Sequence, residues 1–338
     1  MQPPVTTAPT LRGVGLIPLA ALCLAALALS MLVGSRGVSP AEITQFLFAP
    51  DPADPLSHVV WQSRVPRTLL VLLAGAALGV AGALMQAVTR NPLADPGILG
   101  VNAGASLAVV FGLAFLGLTD VADYMWCSFA GALITSVLVF AIGNSGPVRS
   151  SPVRMTLAGV ALGAVLSGFA SAVLLSNSDV LRRMRGWSAG TTASQSLDAV
   201  LSIAPFIVIG LVIALLSSRS LDVLALGEAS AIAMGAKPQR IRLISLVSIA
   251  LLAGGATAVA GPIGFIGLMA PHLARMLVGP HQGWIMAYSI VLAPTVLGFA
   301  DVLGRVLVAG EVPVGVVTAF IGAPVLIAMV RRARVPEV

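Results

Sequence analysis

Residues 72–82 read LLAGAALGVAG and residues 251–261 read LLAGGATAVAG, with the same letter at eight of the eleven positions. The same offset sets Pro92 opposite Pro271, so the likeness runs past the apolar stretches themselves. Both copies lie in uncharged runs that meet the roughly 20 apolar residues a spanning helix needs. Hydropathy gives ten such candidate spans: 14–34, 66–88, 96–117, 121–143, 154–176, 197–218, 240–260, 262–278, 284–308 and 313–331. The repeated stretches fall in the second and seventh. An odd number of steps along the series sends the copies through a bilayer in opposite directions, an arrangement transporters use. The sequence therefore predicts an all-α polytopic membrane protein of about ten transmembrane helices with an inverted internal repeat. It forms one transmembrane domain over 1–338, with a first helix at about 14–34 and related halves at about 64–176 and 240–331.

Composition agrees. Of 338 residues, 58% are hydrophobic and only 9% are charged, against about 25% charged in a soluble domain. Most helix faces here need no water. Alternating ten-residue strands, which would mark a barrel, are absent. Cys23 and Cys127 both sit in apolar runs and read as small hydrophobes rather than a disulfide. The net charge of +6 is dispersed over span ends without a basic block, which argues against nucleic acid as a partner. The first apolar run exceeds the 7–15 residues of a signal-peptide core and only Arg12 precedes it, so it reads as a retained helix.

With the N-terminus inside, twelve basic residues fall at internal span ends (Arg12, Arg90, Arg149, Arg154, Arg219, Lys237, Arg240, Arg242, Arg275, Arg331, Arg332, Arg334). Seven fall outside: Arg36, Arg64, Arg67, Arg182, Arg183, Arg185 and Arg305. The excess favours cytoplasmic termini by the positive-inside rule and leaves the external arginines needing a reason. Small residues recur every four positions (Gly75, Gly79, Ala83; Gly100, Gly104, Ala108, Gly112; Gly159, Gly163, Ser167, Ser171), which suits close helix packing and, for some, a path lining. RNPLADPGILG (90–100) and AGPIGFIGLMAPH (260–272) break the helical pattern at membrane depth. Such breaks survive only where protein or a wet cavity satisfies the backbone.

Several chemistries are missing. There is no GxxxxGK[ST], and GAKPQR (235–240) lacks the glycine spacing and hydroxyl that cradle a nucleotide. His58, His272 and His281 are scattered, with no metal-ligand cluster and no nucleophilic constellation. No acid lies firmly mid-span, Asp301 being placed near the outer end. The chain is thus expected to be no enzyme and to bind no cofactor or metal. Any active transport must draw on another subunit.

LALGEASAIAMGAKPQRIRLISL (224–246) interrupts the oil with Glu228, Lys237, Arg240 and Arg242. Leu221, Leu224, Ala225, Ile232 and Ala233 recur at helical spacing, Gly235 is placed as a C′ cap, and Pro238 can open the next helix. The pattern predicts a short cytoplasmic helix at about 220–240. Such a helix is not stable by itself. It rests on the membrane surface or packs against its bundle or a soluble partner.

This stretch resembles the coupling loop of the FecCD family, the permease subunits of ABC importers for iron–siderophore complexes, haem and vitamin B12. The resemblance extends to 64–106, to TLAGVALGAVLSG (156–168), GPIGFIGLMAPHLARMLVG (261–279) and the FADVLGR…GEVPVGVVTAFIGAPVLIAMV region (299–330), all in the family's order. It implies the type II ABC importer architecture in a cell (plasma or inner) membrane, with a second permease subunit, identical or paralogous. It further implies a pair of ATPase subunits carrying ATP and Mg²⁺, and an extracytoplasmic substrate-binding protein. The cargo it implies is an iron(III)–siderophore, with haem or cobalamin as alternatives. An ion-coupled secondary transporter is the other reading that the inverted repeat allows.

Carried over residue by residue, the resemblance places Gly227, Glu228, Ala231, Met234, Gly235 and Lys237 against the ATPase. It makes Arg64, Arg67 and Arg305 docking points for glutamates of the binding protein, where residue type alone also allows snorkelling anchors. It maps a gate to Asn91, Leu93, Pro152 and Val153. Arg182, Arg183 and Arg185 fall on a short helix near the mouth, to join the docking surface or attract an anionic ligand.

Overall fold

The computed structural model describes residues 9–34, 37–143, 145, 152–193, 195–308 and 310–332. Arg36, Arg149 and Arg334, used above for orientation, lie outside that set. Among the described residues the chain is helical and has no strand. In order, the helices are α1 (Pro9–Leu32), α2 (Pro40–Phe48), α3 (Pro55–Val59), α4 (Val65–Thr89), α5 (Val101–Phe115), α6 (Val121–Gly143), α7 (Pro152–Ser176), α8 (Ser178–Ser188), α9 (Leu197–Ala225), α10 (Glu228–Ala233), α11 (Pro238–Ala260), α12 (Ile266–Val278), α13 (Gln282–Leu307) and α14 (Val314–Arg332). A π-helical turn (Val60–Arg64) joins α3 to α4, and a 3₁₀ turn (Pro96–Leu99) precedes α5.

Each of the ten expected spans has its helix. Seven are long and apolar enough to cross a membrane; α5, α12 and the apolar part of α14 (Val314–Met329) are shorter. Two of these shortenings follow from the broken motifs. In the first, Asp95 Oδ1 accepts the Gly97 N–H at 2.8 Å, starting the 3₁₀ turn, and Gly100 then takes a left-handed φ of +73° before α5 begins. In the second, Gly261 (φ +71°) ends α11 and Phe265 takes φ +68°, so α12 starts only at Ile266. The span expected at 197–218 instead continues unbroken to Ala225, with Leu221 and Leu224 buried as its last apolar turn. The short helix expected at about 220–240 reduces to the six residues of α10.

The repeated stretches are the cores of α4 and α11, which are deeply buried and packed on each other. At one end, Arg90 just after α4 reaches the Leu224 carbonyl beside α10, where α11 is about to begin. At the other, Arg67 in the first turn of α4 meets Asp301, which also holds Thr192, and Thr191 N–H bonds the Ala260 carbonyl at the end of α11. The two helices therefore run in opposite directions. Close approach explains the glycine spacing: a Cβ on Gly82 would lie 1.7 Å from the Gly267 carbonyl oxygen of α12, and Gly75 abuts Pro294 of α13.

Helices α2 and α3 were not foreseen. Ser39 and Glu42 form a reciprocal capping box at the start of α2. Val38, Ile43, Phe46 and Val60 make a small separate core, and the Trp61 indole N–H bonds the Phe46 carbonyl at 2.8 Å.

Candidate functional site

Three places carry polar structure: the end bearing α10, a groove along α7, and the end bearing α2 and α3.

At the α10 end, Gly227 (φ +112°) turns the chain out of α9. Gly235 (φ +80°) closes α10, with its N–H on Ile232 and the Ala236 N–H on Ala231, both at 2.9 Å, a Schellman-type ending. Pro238 then opens α11 in its first turn, as the sequence predicts. Ala231 is fully buried within the chain, whereas Glu228, Met234, Gly235 and Lys237 are exposed and Gly227 is partly so. Three large apolar side chains, Leu226, Ile232 and Met234, stand 66%, 57% and 55% exposed outside any span. The segment is nonetheless tied down. Glu228 Oε2 accepts from Arg242 Nη2 at 2.9 Å, and the Arg242 side chain is only 4% exposed. Arg90 Nη2 donates to Leu224 O at 2.7 Å, while Asp222 accepts the Gln282 N–H at 2.7 Å and faces His281 Nδ1 at 3.1 Å. Beside α10 lies an open hollow of about 450 Å³ whose lining includes Arg219, Lys237 and Arg240.

A groove of about 320 Å³ runs between the 3₁₀ turn with α5 on one side and α7 on the other. Gly97, Asn102, Ser106, Gly159, Gly163 and Ser167 line it, so the four-residue stripe on α7 serves both packing and lining. Its wall is mostly apolar and carries no charged side chain, with Asn102, Ser106 and Ser167 as its polar members. Asn91 is exposed and caps its own turn by accepting the Leu93 N–H at 3.0 Å; Leu93 is half-buried. Val153 is exposed at the start of α7, and Pro152 opens that helix, its side chain outside the described set.

At the opposite end the structure gathers Arg64, Arg67 and Arg305 into one cluster. The last four carbonyls of a helix lack partners within it. Here Arg64 donates to the Met31 and Leu32 carbonyls, and Arg305 to those of Ser30 and Val33. Two guanidiniums thus cap α1 at the negative end of its dipole. Arg67 grips Asp301 through Nε and Nη2, the latter at 2.9 Å, and Glu311 through Nη1 at 2.8 Å. Asp301 also accepts from Arg305 and from the Thr192 hydroxyl. Three guanidiniums face two carboxylates, leaving one positive charge in excess. None of the three arginines is freely exposed, the most open being Arg67 at 11%. Asp301 is not a peripheral acid but the buried centre of the cluster.

Asp301 and Arg305 stand four residues apart on α13, a pairing readable from FADVLGR. Thr192 and Glu311 gave no such signal. The short helix expected around Arg182, Arg183 and Arg185 is α8, with Val180, Met184 and Trp187 buried and the three arginines exposed; Arg182 pairs with Asp179.

The model of the FecCD transport family matches residues 22–332. The chain belongs to that family. Among its relatives, the ferric enterobactin transport system permease protein FepD of Escherichia coli (strain K12) is 47% identical over 95% of this chain and 96% of that protein. The probable siderophore transport system permease protein YfiZ of Bacillus subtilis (strain 168) is 37% identical over the same shares. The hemin transport system permease protein HmuU of Yersinia pestis is 36% identical over 83% of this chain and 85% of its own. A solved structure, described as an inward-facing conformation of a putative metal-chelate type ABC transporter, superposes with a TM-score of 0.82. It is 26% identical and covers 95% of this chain and 99% of its own. The type II importer fold and the multi-pass membrane character expected from the sequence stand.

Proposed function

We propose that this chain is the membrane permease of an ABC importer that passes an iron(III)–siderophore into the cytoplasm, paired with a second permease subunit and driven by separate ATPase subunits. Relatives named for siderophore, ferric enterobactin and hemin transport favour a bulky chelate as cargo. The termini lie in the cytoplasm, so the α10 end faces inward and the α2–α3 end outward.

One observation carries the coupling to an ATPase. Leu226, Ile232 and Met234 are exposed on a segment outside the spans, yet that segment is pinned to α4 by Arg90 and to α11 by Arg242. Exposed apolar side chains on a rigid mount fit a groove on a soluble partner. Glu228, Met234, Gly235 and Lys237 form that face, and Arg219 and Arg240 add positive charge beside it. Movement of the ATPase pair then displaces α9, α11 and α4 together, because those helices share the mount. Ala231 acts from within, holding α10 to its own bundle.

On the outer face, Arg64, Arg67 and Arg305 receive acidic side chains of a substrate-binding protein. Charges placed so fix register and speed encounter more than they add affinity. The groove along α7 suits passage: Asn102, Ser106 and Ser167 offer weak polar contacts, and no charge there would hold an anionic chelate. Asn91, Leu93, Pro152 and Val153 flank its inner end as the gate.

The test replaces Ile232 and Met234 singly by Asp in proteoliposomes holding the permease, its ATPase and the substrate-binding protein. Each change is expected to cut ATP-dependent chelate uptake at least tenfold and to weaken ATPase co-purification, with the permease itself still folded. Uptake and co-purification at the unaltered level in both variants would overturn the coupling role.

A further inference from the structure

The two carboxylates of the outer cluster are held very differently. Asp301 has a 1% exposed side chain and meets three donors, Arg67, Arg305 and Thr192. Glu311 has a 39% exposed side chain, and among the described residues its carboxylate has one hydrogen-bond partner, Arg67 Nη1. Its backbone takes φ +51°, a left-handed conformation that a residue with a Cβ adopts at a cost. A cavity of about 200 Å³ opens between these groups, lined by Gly34, Ser63, Arg64, Arg67, Arg305 and Glu311. Since a water's share of liquid volume is about 30 Å³, the space accommodates a carboxylate with its methylene and some water. Arg305, whose side chain is 3% exposed, also borders this space.

We propose that this cavity is a carboxylate site which the chain fills for itself: Glu311 occupies Arg67 in the resting protein, and an arriving acidic side chain of the docking protein displaces it. Asp301 is the fixed member of the cluster and Glu311 the exchangeable one. The exchange has somewhere to go. Glu311 lies in the connection from α13 to α14, where the Val312 N–H bonds Gly304 and the Gly315 N–H bonds Gly190, both at 2.9 Å. Gly190 lies two residues past the end of α8 and packs against Gly315. Releasing Glu311 therefore loosens the start of α14 and the segment leaving α8, both at the outer mouth. The inference rests on the docking reading only for the identity of the incoming acid.

The experiment needs no docking protein. Thermal unfolding of the purified chain is followed in sodium acetate against sodium chloride at equal ionic strength, for the parent, Glu311→Ala and Glu311→Gln. With the internal carboxylate removed, acetate should bind the vacated Arg67 and raise Tm saturably, by roughly 2–4 °C well above its Kd. In the parent, where Glu311 already takes Arg67 Nη1, the response should be much smaller, and adding Arg67→Ala to either variant should abolish the gain. Glu311→Gln keeps the side chain's shape and serves if the alanine variant does not fold. Equal acetate responses in parent and variants, or none in the variants, would overturn the proposal. A positive result alongside normal uptake after charge reversal at Arg67 would instead retain the self-filled site and sink the docking reading.

Discussion

Asp301 shows how one buried carboxylate can hold a membrane protein's rim together. It faces Arg67 from α4, Arg305 from its own helix and Thr192 from the segment after α8. Arg305 in turn satisfies two carbonyls at the end of α1. Breaking a buried ion pair by removing one partner costs about 3–5 kcal/mol, because the remaining charge keeps its desolvation penalty. Asp301→Asn should therefore lower the detergent-solubilised protein's stability by about that amount, read as a fall in Tm and loosened proteolytic protection of α1. An unchanged Tm would mean that the guanidiniums are solvated and the cluster is incidental. The local half of this arrangement was legible, since Asp301 and Arg305 lie one helical turn apart on α13. The other half was not: Arg67 is 234 positions from Asp301, and no periodicity connects them. The family resemblance implied a docking role for three arginines, and nothing in the sequence revealed that two of them, Arg64 and Arg305, cap α1.

Among the elements, helix type and place followed from hydropathy because membrane spans leave the backbone no alternative. Boundaries were harder. The spans at 96–117 and 262–278 were expected too long, because each begins with backbone in left-handed or extended conformations around Gly100 and Gly261. The span at 197–218 was expected too short, because Leu221 and Leu224 read equally well as the end of one helix or the start of the next. Helix α2 was marked by SPAE (39–42), a capping-box pattern, but it is too short for its apolar face to stand out. The tightest glycine contact on α4 falls one position off the Gly75–Gly79–Ala83 stripe read from the sequence. Gly82 of α4 meets the backbone of Gly267 with no room for a methyl group. Gly82→Ala is expected to destabilise the bundle by about 1–3 kcal/mol, the usual cost of overpacking. Backbone cannot swing aside as a side chain can, so the upper part of that range is expected. Thermal unfolding checks this, and a neutral result would show that α12 slides freely on α4.

For the whole molecule, two facts meet at the α4–α11 pair. It is the structural centre, being the two repeated stretches packed in opposite directions, and it is where the ends of the protein are mechanically joined. Arg67 links one end of α4 to the outer cluster, and Arg90 links the other to the α10 mount. Under the proposed coupling, a force on α10 would reach the Arg67 cluster through α4, which packs against the backbone of α12 at Gly82 and of α13 at Gly75. The sequence carries no GxxxxGK[ST] motif, and Asp301 at the rim is held by Arg67 and Arg305 rather than left free. The account thus stands on an external source of energy. The direct test reconstitutes the permease with its ATPase and binding protein in vesicles and follows entry of radiolabelled iron(III)–siderophore. Uptake should require ATP on the α10 face and persist when proton and sodium gradients are collapsed. Uptake that continues without ATP and stops when an ion gradient is removed would contradict it.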